Sequence, residues 1–89
     1  MSLEQTFLDG VLTKEVHYDN DNEYHNENAP AIIEIENGIV ILEQWFDHGL
    51  KHNPNGASEI QRHENGNVAL EEFYVDGKMG DGWSYVEFQ

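Results

Sequence analysis

The sequence has no cysteine, only four basic residues and no long uninterrupted apolar run. Without cysteine, neither a disulfide framework nor a thiolate metal site can supplement the core of this 89-residue chain. Without an apolar segment of about 18 residues, the sequence predicts no membrane-spanning helix. The start, MSLEQTFLDG, lacks the basic region and apolar stretch of a secretory signal. We therefore expect one small domain in a reducing, cytoplasmic compartment.

The charge balance is strongly acidic. Eighteen acidic residues against four basic ones give a formal net charge of −14. Such a surface repels phosphate backbones and anionic lipid, so we expect no direct contact with nucleic acid and no membrane binding. It attracts a basic protein surface and speeds association with it. The same acidity also serves solubility alone, and the sequence leaves both interpretations open.

One pattern occurs twice in full, as ENGIVILEQWFDHG in residues 36–49 and as ENGNVALEEFYVDG in residues 64–77. Gly10, Gly38 and Gly66 are evenly spaced in the chain, and each follows an aspartate or asparagine. After each of these glycines, at the same distances, come a glutamate and then two consecutive residues with ring-bearing side chains. The aligned sets are Asp9–Gly10, Asn37–Gly38 and Asn65–Gly66; Glu15, Glu43 and Glu71; His17, Trp45 and Phe73; Tyr18, Phe46 and Tyr74; Val40 and Val68; Leu42 and Leu70; Ala29 and Ala57; and Ile32 and Ile60. We predict three repeat units, approximately 1–28, 29–56 and 57–84, with a partial fourth at 85–89.

Each unit has the pattern of a β-hairpin. Asp-Gly or Asn-Gly between two runs of β-branched and aromatic residues favours a type I′ turn, which needs positive φ at both central residues. No stretch keeps a helical period with caps. The prediction is an all-β fold, an antiparallel meander of about seven strands in a single twisted sheet. The predicted strands are 3–8, 11–18, 31–36, 39–47, 58–64, 67–75 and 83–88.

The two faces of the predicted sheet differ in polarity. A common core face is predicted to carry Leu12, Val40, Val68, Tyr18, Phe46 and Tyr74. The opposite face is strongly apolar only in the middle unit, at Ile39, Ile41 and Trp45. A sheet that is apolar on both faces must bury both, so either it curls on itself or a second copy covers it. Homodimerisation through these three residues is one hypothesis.

The last third of the chain resembles a known repeat. In FYVDGKMGDGWSYVEF, residues 73–88, an aromatic residue precedes a Gly-Lys pair, a further glycine, a tryptophan and a strand, and this order resembles the MORN-variant repeat. WFDHGLKHNPNGAS, residues 45–58, and HNENAPAII, residues 25–33, resemble the sister form of small bacterial and phage proteins. The first unit departs from that pattern, with Asp21 in place of the glycine. The resemblance implies a stack of hairpins used for protein contacts, antitoxin-like in role, and it supplies no catalytic residue.

The histidines and acidic loops do not match a known catalytic or metal motif. His48 and His52 have a spacing that aligns ligands only on a helix, whereas here it spans a loop. The acidic run of residues 19–23 superficially resembles a calcium loop, but Tyr24 and Pro30 stand where the glycine and the bidentate glutamate belong. We predict no catalytic residue, no cofactor, no metal site and no enzymatic activity.

Three functions remain open. The first is a protein-binding module, antitoxin-like or immunity-like, that neutralises another protein. The second is an acidic inhibitor that imitates nucleic acid and occupies the phosphate-binding groove of a basic DNA- or RNA-binding protein. Carboxylates on alternate strands lie about 10 Å apart, which is wider than the spacing of successive phosphates along one DNA strand and weakens this hypothesis. The third is a homodimeric structural unit. The predicted partner-binding residues are Trp45, Ile39, Ile41, Phe73, Glu15, Glu43 and Glu71.

Overall fold

A computed structural model describes residues 2–79 and 85–87, the last three and Met79 by backbone alone. Every regular element within these residues is a β-strand. The strands are β1 (Ser2–Leu8), β2 (Val11–Tyr18), β3 (Ile32–Glu36), β4 (Ile39–Gln44), β5 (Phe46–Asp47), β6 (Leu50–Lys51), β7 (Glu59–Arg62), β8 (Val68–Glu72), β9 (Tyr74–Val75), β10 (Lys78–Met79) and β11 (Tyr85–Glu87). The described part of the chain therefore offers no helix that is long and apolar enough to cross a membrane.

One antiparallel sheet forms the body of the molecule. Its strand order is β1-β2-β3-β4-β7-β8-β11, so each strand lies beside the sheet strand that precedes it in the chain. Two short hairpins, β5-β6 and β9-β10, interrupt this order after β4 and after β8. The predicted all-β meander is confirmed. The result is a slab with extents of 43 × 37 × 14 Å.

The hairpin turns follow from the Asp-Gly and Asn-Gly dipeptides, with one exception. Asp9–Gly10 and Asn37–Gly38 have positive φ at both residues, as a two-residue type I′ turn requires. At Asn65–Gly66 only the glycine has positive φ, and the Gly66 N–H donates to the carbonyl of His63 at 2.9 Å. The predicted type I′ turn is wrong there. One extra residue before the dipeptide makes a three-residue loop, in which glycine alone takes the left-handed position.

The constant spacing seen in the sequence does not hold along the whole repeat. Ala31 donates its backbone N–H to the carbonyl of Gln44, and Ser58 donates to that of Glu72, both at 2.8 Å. Ser58 is therefore the counterpart of Ala31, as Glu72 is of Gln44. The separation between Ala31 and Ser58 along the chain is one residue shorter than that between Gln44 and Glu72. The predicted alignments of Ala29 with Ala57 and of Ile32 with Ile60 are wrong by one residue. The loop after the second hairpin is one residue shorter than the loop after the first, and the longer Asn65–Gly66 turn restores the register.

Two predicted strands are too long. The runs predicted at 39–47 and 67–75 leave the sheet at Trp45 and Phe73, and their last residues become β5 and β9. The partners of β5 and β9 are β6 and β10, which the sequence placed in loops. These short strands turn through His48–Gly49 and Asp76–Gly77, again with positive φ at both residues. Local turn chemistry thus adds a small hairpin to the end of each of these two larger ones.

The core lies at the end of the sheet where the small hairpins join it. Its buried apolar residues, among those described, are Val16, Ala31, Ile32 and Ala57. The residues predicted for a common core face are only partly buried. A β-bulge contributes to this difference, because Ile35 pairs with Val40 while Glu34 pairs with Leu42. The bulge brings Val40 to the face of Ile35, opposite to the face predicted for it.

Candidate functional site

The predicted apolar contact residues lie neither in the buried core nor among the most exposed apolar side chains. Trp45, Ile39, Ile41 and Phe73 are all partly buried. The indole Nε1 of Trp45 is buried and has no hydrogen-bond partner among the described residues. Ile39 and Ile41 are less exposed than the residues of β1, and their role in a dimer stays a prediction.

The three predicted glutamates lie in one row across the sheet. Glu15 pairs with Ile33, Ile33 with Glu43, Glu43 with Ile60, and Ile60 with Glu71. Directly paired residues share a face, so carboxylates alternate with isoleucines along this row. Glu15, Glu43 and Glu71 therefore form a column of carboxylates across one face of the sheet.

Two of these carboxylates are already engaged within the chain. Glu15 accepts a hydrogen bond from the Gln5 amide at 2.8 Å and lies 3.1 Å from His17 Nε2. Both contacts lower the pKa of Glu15, the amide bond most. Glu43 forms an ion pair with Arg62. Arg62 thus neutralises Glu43, whereas the lowered pKa of Glu15 keeps that carboxylate ionised.

On the other face, a lysine lies between two opposed glutamates. Glu59 and Glu72 are directly paired on β7 and β8, and Lys51 Nζ from β6 contacts both, at 3.2 Å from Glu72. Burial alone lowers the pKa of Lys51, but its bonds to the two carboxylates outweigh this and raise it. The lysine also lies over the Tyr74 ring, 4.9 Å from its centroid. This cluster fastens the small hairpin to the sheet.

The most exposed apolar surface lies at β1, which has a strand neighbour on one side only within the described residues. All seven residues of β1 are exposed. Leu3, Phe7, Leu8 and Val11 are 52%, 56%, 67% and 59% exposed. Phe7 pairs with Leu12 and Leu8 with Val11, so the apolar side chains continue around the first turn. We name Leu3, Phe7, Leu8 and Val11 the β1 patch.

Two His-Asn loops hold successive hairpins together with the same bonds. His25 Nδ1 accepts the backbone N–H of His48 at 3.1 Å, and His52 Nδ1 accepts that of Asp76 at 2.9 Å. The next residue in each loop, Asn26 or Asn53, donates its amide to the carbonyl four residues later. Each histidine thus binds the turn of the small hairpin that follows it in the chain.

The turn of the β5-β6 hairpin carries a cluster of titratable groups. His48 Nδ1 lies 2.6 Å from the buried carboxylate of Asp19, and its ring stacks on that of His25 with centroids 4.1 Å apart. The bond from Asp19 raises the pKa of His48. The pKa of Asp19 is lowered most by the hydrogen bond from the backbone N–H of Glu23 and next by the hydrogen bond from His48. The donor atoms of His25, Asp47 and His48 lie within 4.8 Å of one another.

A groove of about 700 Å³ lies between the two His-Asn loops. Its lining residues are His25, Asn26, Glu27, Asn28, Trp45, Phe46, Asp47, His48, His52, Asn53, Pro54 and Asn55. The sequence paired His48 with His52, whereas the structure stacks His48 on His25. The sequence feature that could have revealed the role of His25 is the His-Asn dipeptide, which occurs at His25–Asn26 and again at His52–Asn53. These two occurrences are separated by one residue fewer than the aligned glycines are, so the alignment did not include them.

Comparison of the chain with protein-family models, curated proteins and solved structures finds no match.

Proposed function

We propose that the protein is a non-enzymatic protein-binding module, antitoxin-like or immunity-like in role, which takes an extended segment of a basic partner protein along β1. The observation that carries this proposal is the β1 patch. An edge strand presents unpaired backbone N–H and C=O groups, and a partner strand can complete them while its side chains contact the patch.

The composition of β1 supports a binding role. Sheet edges are usually protected from pairing by lysine, proline, inward-pointing charges or bulges. In β1 the only charged residue is Glu4, and the strand has no proline. The bulge of this strand pair lies in β2, at Thr13, and three apolar side chains of β1, together with Val11 of β2, are more than half exposed. An apolar edge of this kind is costly in water, and covering it stabilises the complex.

The charge of the molecule supports a basic partner. At −14, two copies of the chain repel each other, whereas a basic protein is drawn to the surface and docks faster. We therefore favour an extended partner segment in which apolar residues alternate with lysine or arginine. The nucleic-acid mimic has less support, because Arg62 and His17 already occupy two carboxylates of the glutamate row.

The experiment begins with a photo-crosslinking amino acid in place of Phe7, and in a matched variant in place of Val75, which is 49% exposed on β9. A protein captured only from the Phe7 position is identified and purified, and its affinity is measured at low and high salt. Leu3→Asp should weaken binding more than tenfold, because it places a charge in the contact. Val75→Asp should leave the affinity unchanged.

A proline scan separates strand addition from simple apolar contact. Along an edge strand, consecutive N–H groups point alternately toward the neighbouring strand and toward solvent. Of Gln5→Pro and Thr6→Pro, one should therefore keep the melting temperature and lose the partner. If the proline variant that keeps the melting temperature binds the partner normally, or if Leu3→Asp and Val75→Asp change the affinity equally, β1 is not the binding edge.

A further inference from the structure

The chain has three Asn-Gly dipeptides, at residues 37–38, 55–56 and 65–66. An asparagine side chain reacts fastest when glycine follows it, because glycine has no Cβ to hinder the approach of its own backbone nitrogen. That nitrogen attacks the side-chain carbonyl carbon of the asparagine and displaces ammonia. The sequence alone makes the three dipeptides equally reactive, whereas the structure separates them.

The dipeptide Asn37–Gly38 is held in an unreactive backbone conformation. The five-membered ring that forms in this reaction closes only when Cβ of the asparagine and the glycine nitrogen lie on the same side of the Cα–C bond. Asn37 has a φ of +51°, in the left-handed region, where ψ is about +30 to +60° and places these two atoms on opposite sides. The type I′ turn between β3 and β4 therefore protects Asn37.

The dipeptide Asn65–Gly66 is protected by two hydrogen bonds. The N–H of Gly66 donates to the carbonyl of His63, and the side-chain oxygen of Asn65 accepts the backbone N–H of Asn67, both at 2.9 Å. The attacking nitrogen must lose its proton, and the side-chain carbonyl must turn toward it. Each of these changes breaks one of the two bonds, so this loop must open before Asn65 reacts.

The dipeptide Asn55–Gly56 has neither form of protection. It lies outside the strands, in the second His-Asn loop, and Asn55 is exposed. Neither residue has a left-handed φ. The Gly56 N–H and the side-chain amide of Asn55 are bound to no other group among the described residues. The one bond that holds Asn55 runs from its backbone N–H to Asn53 Oδ1 at 3.1 Å, and the ψ torsion lies beyond it.

The first His-Asn loop provides a matched comparison within the chain. The hydrogen bonds that close the two loops make Asn28 the counterpart of Asn55. Asn28 is also exposed, but it has a φ of +59° and is followed by Ala29 instead of glycine. Its left-handed backbone and the methyl group of the alanine both oppose ring closure.

We propose that Asn55 is a site of spontaneous modification, at which a succinimide forms and then opens to isoaspartate and aspartate. The Gly56 nitrogen bonds to Cγ of Asn55, the Cγ–Nδ2 bond breaks, and ammonia leaves with the proton that Gly56 gives up. Water then adds to either carbonyl of the ring and reopens it. The net change is one water taken up and one ammonia released.

Both products change the loop. Asn55 lines the groove, so aspartate places a further negative charge at its edge. Isoaspartate also adds one backbone atom between Asn53 and Ala57, whose hydrogen bond closes the loop at 2.9 Å. The same loop holds the β9-β10 hairpin through the bond from Asp76 to His52. The modification should therefore loosen this hairpin, at a place that shares no residue with the β1 patch.

The test is incubation of the folded full chain at physiological temperature and mildly alkaline pH, followed by peptide mapping with mass spectrometry. Replacement of the amide by a carboxyl group changes the peptide mass, and electron-transfer fragmentation distinguishes isoaspartate from aspartate. Asn55 should react about tenfold faster than Asn37, Asn65 or Asn28, because the others react only after local opening. In urea Asn37 and Asn65 should react as fast as Asn55, while Asn28 should stay slower.

The matched variant is Gly56→Ala. A Cβ at this position meets only the Asn53 side-chain amide, at 3.8 Å, so the variant keeps the fold. It should keep the melting temperature and slow the reaction of Asn55 about tenfold. The proposal is overturned if Asn37 or Asn65 reacts as fast as Asn55 in the folded chain, if Asn55 reacts no faster than Asn28, or if Gly56→Ala leaves the rate unchanged.

Discussion

Replacing Lys51 by methionine should strongly destabilise the protein. Lys51 is the cation between the directly paired Glu59 and Glu72, and its side chain is only 19% exposed. Methionine keeps most of the apolar stem and removes the charge. The variant leaves two carboxylates opposite each other on neighbouring strands with no cation between them.

The size of the effect follows from the burial of the cluster. Removing one partner of a buried ion pair costs about 3–5 kcal/mol. Because Glu72 is 18% exposed and water reaches part of this cluster, we expect about 2–3 kcal/mol here. In a domain of this size that lowers the melting temperature by roughly 10–20 °C. Urea unfolding at pH 7, followed by fluorescence, measures the difference directly.

The effect should depend on pH. Burial raises the pKa of Glu59, but Lys51, Gln44 and Gln61 lower it overall, so this carboxylate stabilises the wild type above pH 4.5, and its contribution is lost as pH falls through the lowered pKa. In the variant, Glu59 keeps its hydrogen bonds from Gln44 and Gln61 but faces Glu72 with no cation between them, so its pKa should rise. The gap between the two proteins should therefore be full at pH 7, should begin to narrow as pH falls through the raised pKa of Glu59 in the variant, and should go on narrowing until pH passes the lowered pKa in the wild type.

Two further variants control this prediction. Lys14→Met removes an exposed lysine opposite Glu34, and it should cost less than about 0.5 kcal/mol. Adding Glu72→Gln to Lys51→Met should recover most of the loss, because it removes the opposing charge. The reasoning would be refuted by a Lys51→Met protein whose unfolding free energy at pH 7 lies within about 0.5 kcal/mol of the wild-type value, as for a surface pair. A gap that does not change with pH would refute it equally.

Three further pairs of substitutions test the fold. Asn26→Ala and Asn53→Ala each remove the same amide-to-carbonyl bond and should each cost about 1 kcal/mol by urea unfolding, whereas clearly unequal costs would contradict the equivalence of the loops. Gly10→Ala and Gly49→Ala both place a side chain at positive φ, and each should lower the free energy of unfolding by about 1 kcal/mol. Of the two new Cβ atoms, only the one at position 49 meets a neighbour, Glu23 Oε2 at 3.0 Å, so the melting temperature of Gly49→Ala should fall further than that of Gly10→Ala. Ser58→Val overfills a site with no exposed surface and should cost about 1–3 kcal/mol, with Ser58→Ala milder in the same calorimetric scan.

The parts of the fold that the sequence predicted are those controlled by local chemistry. Asp9–Gly10 and Asn37–Gly38 define their turns by backbone preference, and the β-branched runs beside them define the strands. The small hairpins escaped prediction because strands of two residues, such as Leu50–Lys51, show no periodicity. The register of the third hairpin depends on one additional residue before Asn65, which a fixed repeat length hides.

The parts of the candidate site that the sequence missed depend on contacts across the chain. His25 reaches His48 from 23 residues away, and the pair is set by how one hairpin packs on the next. No local pattern predicts this contact. The exposure of β1 was equally hidden, because its apolar residues are those expected of any buried strand.

The His-Asn loops give the sheet a direction along which it can grow. In both loops the histidine nitrogen accepts its bond from the hairpin that comes after it in the chain, so the two ends of the array are chemically unlike. A copy of residues 25–51 inserted after Lys51 would repeat the contact between a His-Asn loop and the following small hairpin, and it would add two strands to the sheet. Each such insertion would lengthen the slab by about 10 Å, so the number of these segments would determine the length of the molecule.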